Sequence, residues 1–553
     1  MSDMYSKRYP FTNIADMMLS NQLGRPEQHP LYIDARTGES VTLYRLRQLV
    51  GLLHAGLRRF GLQRGDTVCF YSPNNIYMGP VYAGVMAAGM AISPANTSYL
   101  LEEFERQLQI CEAKMLITHP NNLEIALKAA ENVGLPRNSI LSIVPDPQKR
   151  VPLWSDVLID YDQPPLSPVK MTHEESVNTV AYLCFSSGTT GKSKGVMTSH
   201  YNCIAMVMET HGYSGIFADP SIQKVVLAVI PLFHFSGIHR IFNMGMAQGN
   251  THIIMEKYTV PQMCDMIQRF KVTDFPTAPP IIIHLVNNPI VDKYDLSSLK
   301  SLTVGSAPIA PDIMVRFTNK YKHAILFNSY GMTEASPVVT YNKPEWAKPD
   351  SIGRMTPMMK SKLVDLDGNE VTELNKPGEL WVQGPNVMLG YKGNPEATAD
   401  AITEDGWLKT GDVVTKDENG NLYIVDRIKE LIKYKGFQVA PVELESVLLK
   451  CPYVSDAGVV GIYDDVQGTE IPLAYVVLRE NYKGQANTVC PKIQAWVNER
   501  VANHKRLRGG VRAIDAIPKN PTGKILRRKM KEIYKNEQQN QQSSPFVERA
   551  AKL

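Results

Sequence analysis

Apolar runs that read as strands alternate with helical patterns through roughly the first four hundred residues of this chain. Lys224–Ile230, His252–Met255 and Ala324–Phe327 are such runs, and Pro261–Phe270 is a helical stretch among them whose Pro suits a first turn. The alternation predicts an α/β fold in which helices pack on layered sheets. At 553 residues the chain exceeds what one hydrophobic core serves, so two or more domains are expected. The pattern changes after about residue 415. Asp417 to Asn421 is a turn cluster with an Asn-Gly hairpin signal. Leu422–Val425, Leu431–Tyr434, Asp456–Ile462 and Pro472–Leu478 then read as strands, and Pro441–Leu449 and Lys492–Ala502 as helices. The boundary falls at Lys429. It separates a large N-terminal domain of several subdomains (1–428) from a small α+β C-terminal domain (429–535) and a tail (536–553) whose polar start is expected to be disordered.

Composition excludes several classes. The net charge of +4 is too small to imply a nucleic-acid partner. The seven Cys are scattered without metal-ligand spacing, as expected of reduced thiols inside a cell. The N-terminus carries charges and no apolar core of a secretory signal. Met78 to Ala95 is uncharged but broken by Gly and Pro, which favours a buried helix and turn over a membrane span. The final Ala551-Lys552-Leu553 differs from a peroxisomal address by one small residue, so a peroxisomal import receptor is an expected partner; without it the location is cytoplasmic. Twelve Lys and Arg against two acidic residues between Arg500 and Lys535 read as a solvated basic face.

The apolar run Ala181–Phe185 opens into Ser186-Ser187-Gly188-Thr189-Thr190-Gly191-Lys192-Ser193-Lys194-Gly195. Backbone N–H groups, hydroxyls and Lys in a Gly-rich loop suit a phosphate. The stretch is not a Walker A loop, because that pattern needs Gly where Ser186 stands.

Further segments share this character. They are Ser306-Ala307-Pro308, Tyr330-Gly331-Met332-Thr333-Glu334, Gly406 to Asp412, Asp426-Arg427, Lys433-Tyr434-Lys435-Gly436 and Pro521-Thr522-Gly523-Lys524. In this order they resemble the adenylate-forming superfamily: acyl- and aryl-CoA synthetases, firefly luciferase and the adenylation domains of peptide synthetases. The resemblance spans about residues 40 to 530 and is closest to the 4-coumarate–CoA ligase and luciferase branch.

That resemblance implies an ATP-dependent acid–CoA ligase with a mobile C-terminal domain, using ATP, Mg²⁺ and coenzyme A on a small-molecule carboxylic acid. Ser186, Ser187, Gly188, Thr189, Thr190, Gly191 and Lys194 would hold the β- and γ-phosphates. Thr333 would meet the α-phosphate and Glu334 would bind Mg²⁺. Tyr330, Ser306 and Ala307 would enclose adenine, and Asp412 and Arg427 the ribose. Lys524 would serve adenylation. A swing about the hinge Lys429 would then bring Lys433 and Gly436 to the thiol step. His234 would lie near the acyl pocket, which is expected from Phe235, Ser236, Gly237, Gly305, Gly331, Met332, Ser336, Pro337 and Val338. That pocket is small and apolar, without an ionic partner, and suits an aryl or cinnamic-type acid or a medium-chain fatty acid.

The chain departs from the branch in three places. Lys192-Ser193 replaces a usual Leu-Pro. Gly378 to Gly384 lacks a Cys typical of plant coumarate ligases. Thr303 stands where those enzymes carry a Lys that can meet a phenol oxygen. The last two put a hydroxycinnamate substrate in doubt. The competing expectations are a luciferase-like adenylating oxygenase, an enzyme loading a carrier protein, and a non-catalytic acyl-nucleotide binding protein.

Overall fold

The computed structural model describes residues 7–186, 193–214, 223–305, 309, 311–365, 367–435, 437–464, 467–520 and 523–542. The chain divides into two compact units, Met1–Ser361 with Trp381–Lys409, and Lys362–Leu380 with Thr410–Leu553.

The first unit contains two seven-stranded sheets. One runs in the order Ile325–Asn328, Ser301–Val304, Asp274–Thr277, Val225–Ala228, Thr251–Ile254, Pro30–Asp34, Ser40–Thr42. It is parallel except at its last pair. The other runs Gly390–Tyr391, Lys194–Ser199, Val180–Ser186, Ala91–Pro94, Thr67–Tyr71, Met115–Thr118, Ile140–Ser142. Its first two pairings are antiparallel and the rest parallel. Strands covered on both faces need apolar residues throughout rather than alternation, and all five residues of Thr67–Tyr71 are buried.

The helices follow local rules. Thr42 caps Leu43–Phe60 by accepting from the Arg45 N–H, and Gly61 ends it at φ 102°. Met78–Ala87 is buried on every side, as its lack of charge requires. Gly84 on it has no room for a side chain, since a Cβ would lie 2.6 Å from Leu53 Cδ2. Thr259 and Gln262 form a capping box at the start of Val260–Phe270.

The second unit carries a four-stranded sheet in the order Lys360–Val364, Gly378–Gln383, Leu408–Lys416, Leu422–Arg427, whose first three strands begin or end beyond the unit's limits. A hairpin follows (Ile432–Tyr434 with Phe437–Val439), and then a three-stranded sheet of Val454–Asp464, Thr469–Leu478 and Val511–Ala513. Asp417 builds the expected turn by accepting from the Asn419 and Asn421 N–H groups. Lys429 lies in an exposed turn of this unit.

Two expectations are corrected. The helix placed at Lys492–Ala502 runs from Ala486 to Asn498, with Pro491 inside it. The start of the tail is not disordered: the helix Arg527–Gln542 passes through it. Met530 of this helix is fully buried in the core, and Glu537 pairs with Arg512 and accepts from the Tyr475 hydroxyl at 3.2 Å. All seven Cys are free and buried.

Candidate functional site

In the first unit the Gly-rich loop joins the adjacent antiparallel strands Val180–Ser186 and Lys194–Ser199, with Ser186 opposite Lys194. A Walker A loop would instead enter a helix. Ser187, Gly188, Thr189, Thr190, Gly191 and Lys192 lie outside the described residues, as do Ser306 and Ala307. The loop's first end, Ser186, reaches Glu334.

Glu334 sits on a short 3₁₀ turn, Thr333–Ala335, and is 7% exposed. Its Oε1 accepts from Ser186 Oγ at 2.8 Å and from the Tyr391 hydroxyl at 3.0 Å. Burial, then the Glu334 charge, pushes the Tyr391 phenol well above its ordinary pKa, so it stays a donor. Lys194 Nζ lies 4.7 Å from the Tyr391 ring centre, a cation–π contact. Oε2 of Glu334 bonds no described residue. One carboxylate with a free oxygen fits a hard cation such as Mg²⁺, which completes its shell with phosphate oxygens and water.

The segment around Glu334 is held rigidly. Gly331 bridges Val338, and the Met332 N–H donates to the Pro337 carbonyl at 2.8 Å. A Cβ at Gly331 would lie 2.0 Å from that carbonyl oxygen, so only Gly fits. Ser336, at φ 58°, turns the chain back and is buried with Pro337. Asn386, 2% exposed, donates to the carbonyls of Ala335 (2.6 Å) and Val338 (3.1 Å). The Tyr330 N–H donates to Thr340 Oγ1, and its side chain is 9% exposed. Gly305 approaches Ser329 closely; a Cβ there would lie 3.2 Å from Ser329 Oγ. Tyr391 and Asn386 carried no signal in the sequence. Only the pairing of Gly390–Tyr391 with Lys194–Ser199 brings Tyr391 to the carboxylate.

His234 precedes the helical turn Phe235–Ile238, with its Nδ1 2.9 Å from Ser236 Oγ. Gly237 packs on the Pro231 carbonyl, which leaves no space for a Cβ. Phe235 belongs to the core, its ring 5.3 Å from that of Tyr182. A cavity of about 180 Å³ is lined by Val338, Thr303, Ser329, Arg240, Lys224 and Asp274, among others. Of the expected acyl residues it includes Val338. Three charged side chains, Lys224, Arg240 and Asp274, also line this space. They were missed because they come from three elements distant in sequence.

In the second unit Asp412 and Arg427 face each other across antiparallel strands, with Nε and Oδ1 3.1 Å apart. Asp412 is 5% exposed. Lys524 follows Gly523, at φ 85°, on a tight turn fixed by Asn520, whose Oδ1 accepts from the Lys524 N–H at 2.8 Å. Burial, reinforced by Arg427 and opposed by Glu430 and Asp412, pushes the Lys524 ammonium down to about 8. More than a hundred residues of chain separate Asp412 from Lys524, and the fold brings both into one electrostatic cluster. Lys433 is exposed on its hairpin, its N–H donating to Glu470. Gly436 lies outside the described residues, as does Ala551-Lys552-Leu553.

Residues 19–392 match the family described as AMP-binding enzyme, and 443–524 match the AMP-binding enzyme C-terminal domain. The chain belongs to this family of adenylate-forming enzymes. Among its relatives is a probable CoA ligase, CCL5, of Humulus lupulus, 35% identical over 502 residues, covering 90% of this chain and 89% of that one. The 4-coumarate–CoA ligase 1 of Petroselinum crispum is 34% identical, with 90% of each chain covered. The peroxisomal OPC-8:0-CoA ligase 1 of Arabidopsis thaliana is 34% identical, covering 91% of this chain and 90% of that one. Among solved structures, ATP-bound MatB from Rhodopseudomonas palustris superposes with a TM-score of 0.83 at 25% identity, over 95% of this chain and 99% of that one.

Proposed function

We propose that this protein joins a carboxylic acid to coenzyme A at the expense of ATP, releasing AMP and pyrophosphate. In the first half-reaction the acid's carboxylate attacks the α-phosphorus and pyrophosphate leaves. In the second the thiol attacks the acyl carbon and AMP leaves. Neither step needs a protein nucleophile, so the work is positioning and neutralising negative charge.

The observation that carries the reading is the half-buried Lys524 ammonium in one electrostatic cluster with Asp412 and Arg427, with Lys433 left in solvent. In that arrangement Lys524 attends adenylation, attracting carboxylate and α-phosphate and reducing their repulsion. Asp412 and Arg427 take the ribose hydroxyls. Glu334 with Mg²⁺, Thr333, Ser186, Lys194 and the loop between those last two take the phosphates; Tyr330 packs on adenine beside Ser306 and Ala307. A swing at Lys429 then exchanges Lys524 for Lys433 and Gly436. His234 and the Gly331–Val338 segment border the acyl group. Peroxisomal delivery through Ala551-Lys552-Leu553 belongs to the same proposal, and the peroxisomal relative supports it. A fluorescent fusion with and without the tripeptide tests it.

The test of the function is pyrophosphate release over aryl, cinnamic and fatty acids, with and without coenzyme A. Acid-dependent release, with thioester formed when the thiol is present, is expected. Release with oxygen uptake and light instead would select the oxygenase reading. No release with any acid would select the non-catalytic one.

A further inference from the structure

The cavity beside Val338 runs along the face of the parallel sheet. At one end lie Thr303, Ser329 and Val338, the last bridged to Gly331 of the proposed acyl site. At the other lie Lys224 and Asp274, at the opening residues of two neighbouring strands. At about 180 Å³ it holds far more than a single water.

The charges on its wall do not cancel. Lys224 Nζ and Asp274 Oδ1 are 2.8 Å apart, and Asp274 Oδ2 also accepts from Thr273 Oγ1 at 2.8 Å. That pair is internally satisfied. Arg240 is not: among the described residues no carboxylate lies within ion-pair distance of it and no acceptor bonds its guanidinium. Burial pulls its pKa down, with Asp274 and Tyr341, both on the cavity wall, pulling the other way. A guanidinium stays protonated under such pressure. One surplus positive charge, partly buried, therefore faces the cavity, and a charge drawn from water without a partner is costly to keep.

The backbone at Arg240 is also irregular. His239–Asn243 is a π-helical turn set between the short helices Phe235–Ile238 and Met244–Ala247. Such turns re-aim a side chain and recur at functional sites. The next turn is packed tightly enough that a Cβ at Gly245 would lie 2.9 Å from the Arg240 carbonyl oxygen and 2.3 Å from His252 Nε2. The position of Arg240 is thus held by its surroundings.

We infer that the acid taken by this enzyme carries a second carboxylate at the end remote from the reacting one, and that Arg240 is the specificity residue that pairs with it. The inference rests on the ligase reading above. Thr303 and Ser329 would line the stem of the acid between its two ends. Arg suits the task because its fork binds a carboxylate through two parallel hydrogen bonds. A pocket built to make such bonds discriminates strongly against a substrate that leaves them unmade.

The experiment measures kcat/KM for matched pairs of acids of equal length, one ending in a methyl group or bare ring and the other in a carboxylate. The pairs span straight-chain and benzoic or cinnamic frameworks. The wild-type enzyme is expected to favour the dicarboxylic member of its best pair by about tenfold or more. Arg240→Met should lower that ratio at least about tenfold, and Arg240→Lys should restore part of it. Thermal melting checks that the variants fold, and where Arg240→Met does not, the wild-type ratio decides. Preference for the monocarboxylic member throughout, or an unchanged ratio in Arg240→Met, overturns the inference and leaves the ligase reading standing. No pyrophosphate release with any acid overturns both.

Discussion

In the proposed mechanism the Lys524 ammonium, in the same electrostatic cluster as Asp412 and Arg427, attracts both reacting anions. Lys524→Ala should slow adenylate formation by about two orders of magnitude, comparable to losing one oxyanion donor. Pyrophosphate exchange measures this, and wild-type exchange in the variant would remove Lys524 from the chemistry. The pH dependence follows from the same surroundings. Burial pulls the Lys524 ammonium down to about 8, well below the usual lysine range. The exchange rate should therefore fall as pH rises past about 8; a flat profile to pH 10 would contradict the reading. Tyr391→Phe removes one of the two hydroxyls that orient Glu334. Several-fold more Mg²⁺ should then be needed for half-maximal adenylation, and an unchanged requirement would leave Tyr391 a packing residue. Glu334, Asp412 and Lys524 were legible in the sequence because each stands in a short motif of distinctive composition. Tyr391, Asn386 and Arg240 were not, because each becomes informative only through a neighbour that tertiary pairing supplies.

At the scale of elements, burial decided what local pattern could not. The strand Val180–Ser186 and the helix Pro441–Leu449 were plain from apolar runs and a Pro at the first turn. The helix Arg527–Gln542 was hidden by its polar surface, since its anchor is the fully buried Met530 beside partly buried Ile533 and Tyr534. Met530→Ala should destabilise the second unit by about 2–5 kcal/mol, read by chemical denaturation; a loss near zero would mean the helix does not hold the core. Arg527, at the start of this helix, meets Glu445 at 3.0 Å. Glu445 also accepts from the Val459 N–H at 2.8 Å. Burial raises its pKa to about 7, with Arg527 opposing. A raised carboxylate pKa means the folded chain holds the proton more tightly than the unfolded one. Its contribution to stability is full below the ordinary value near 4.5 and is lost as pH rises through about 7. The melting temperature of wild type relative to Glu445→Gln should thus decline between pH 5 and pH 8. A rise over that range would show the ionised Glu445–Arg527 pair to be the favoured form.

At the scale of the whole molecule the α/β alternation and the family were readable from the chain, as was the change of pattern after about residue 415. The compact units were not, because the second recruits Lys362–Leu380 and Thr410 onward across intervening sequence. Lys429 lies within that unit, in an exposed turn, and is proposed above as the hinge. Lys429→Pro fixes φ there. It should spare pyrophosphate exchange and depress thioester formation, whereas equal loss of both would argue against a swing. The central claim is that one chain performs two half-reactions on a carboxylic acid. A single-turnover experiment with ATP and an accepted acid tests it most directly, by following adenylate and thioester before and after coenzyme A is added. The account predicts acid-dependent adenylate and pyrophosphate first, then thioester and AMP only with the thiol. Thioester formed without prior adenylate, or adenylate that the thiol never consumes, would contradict it.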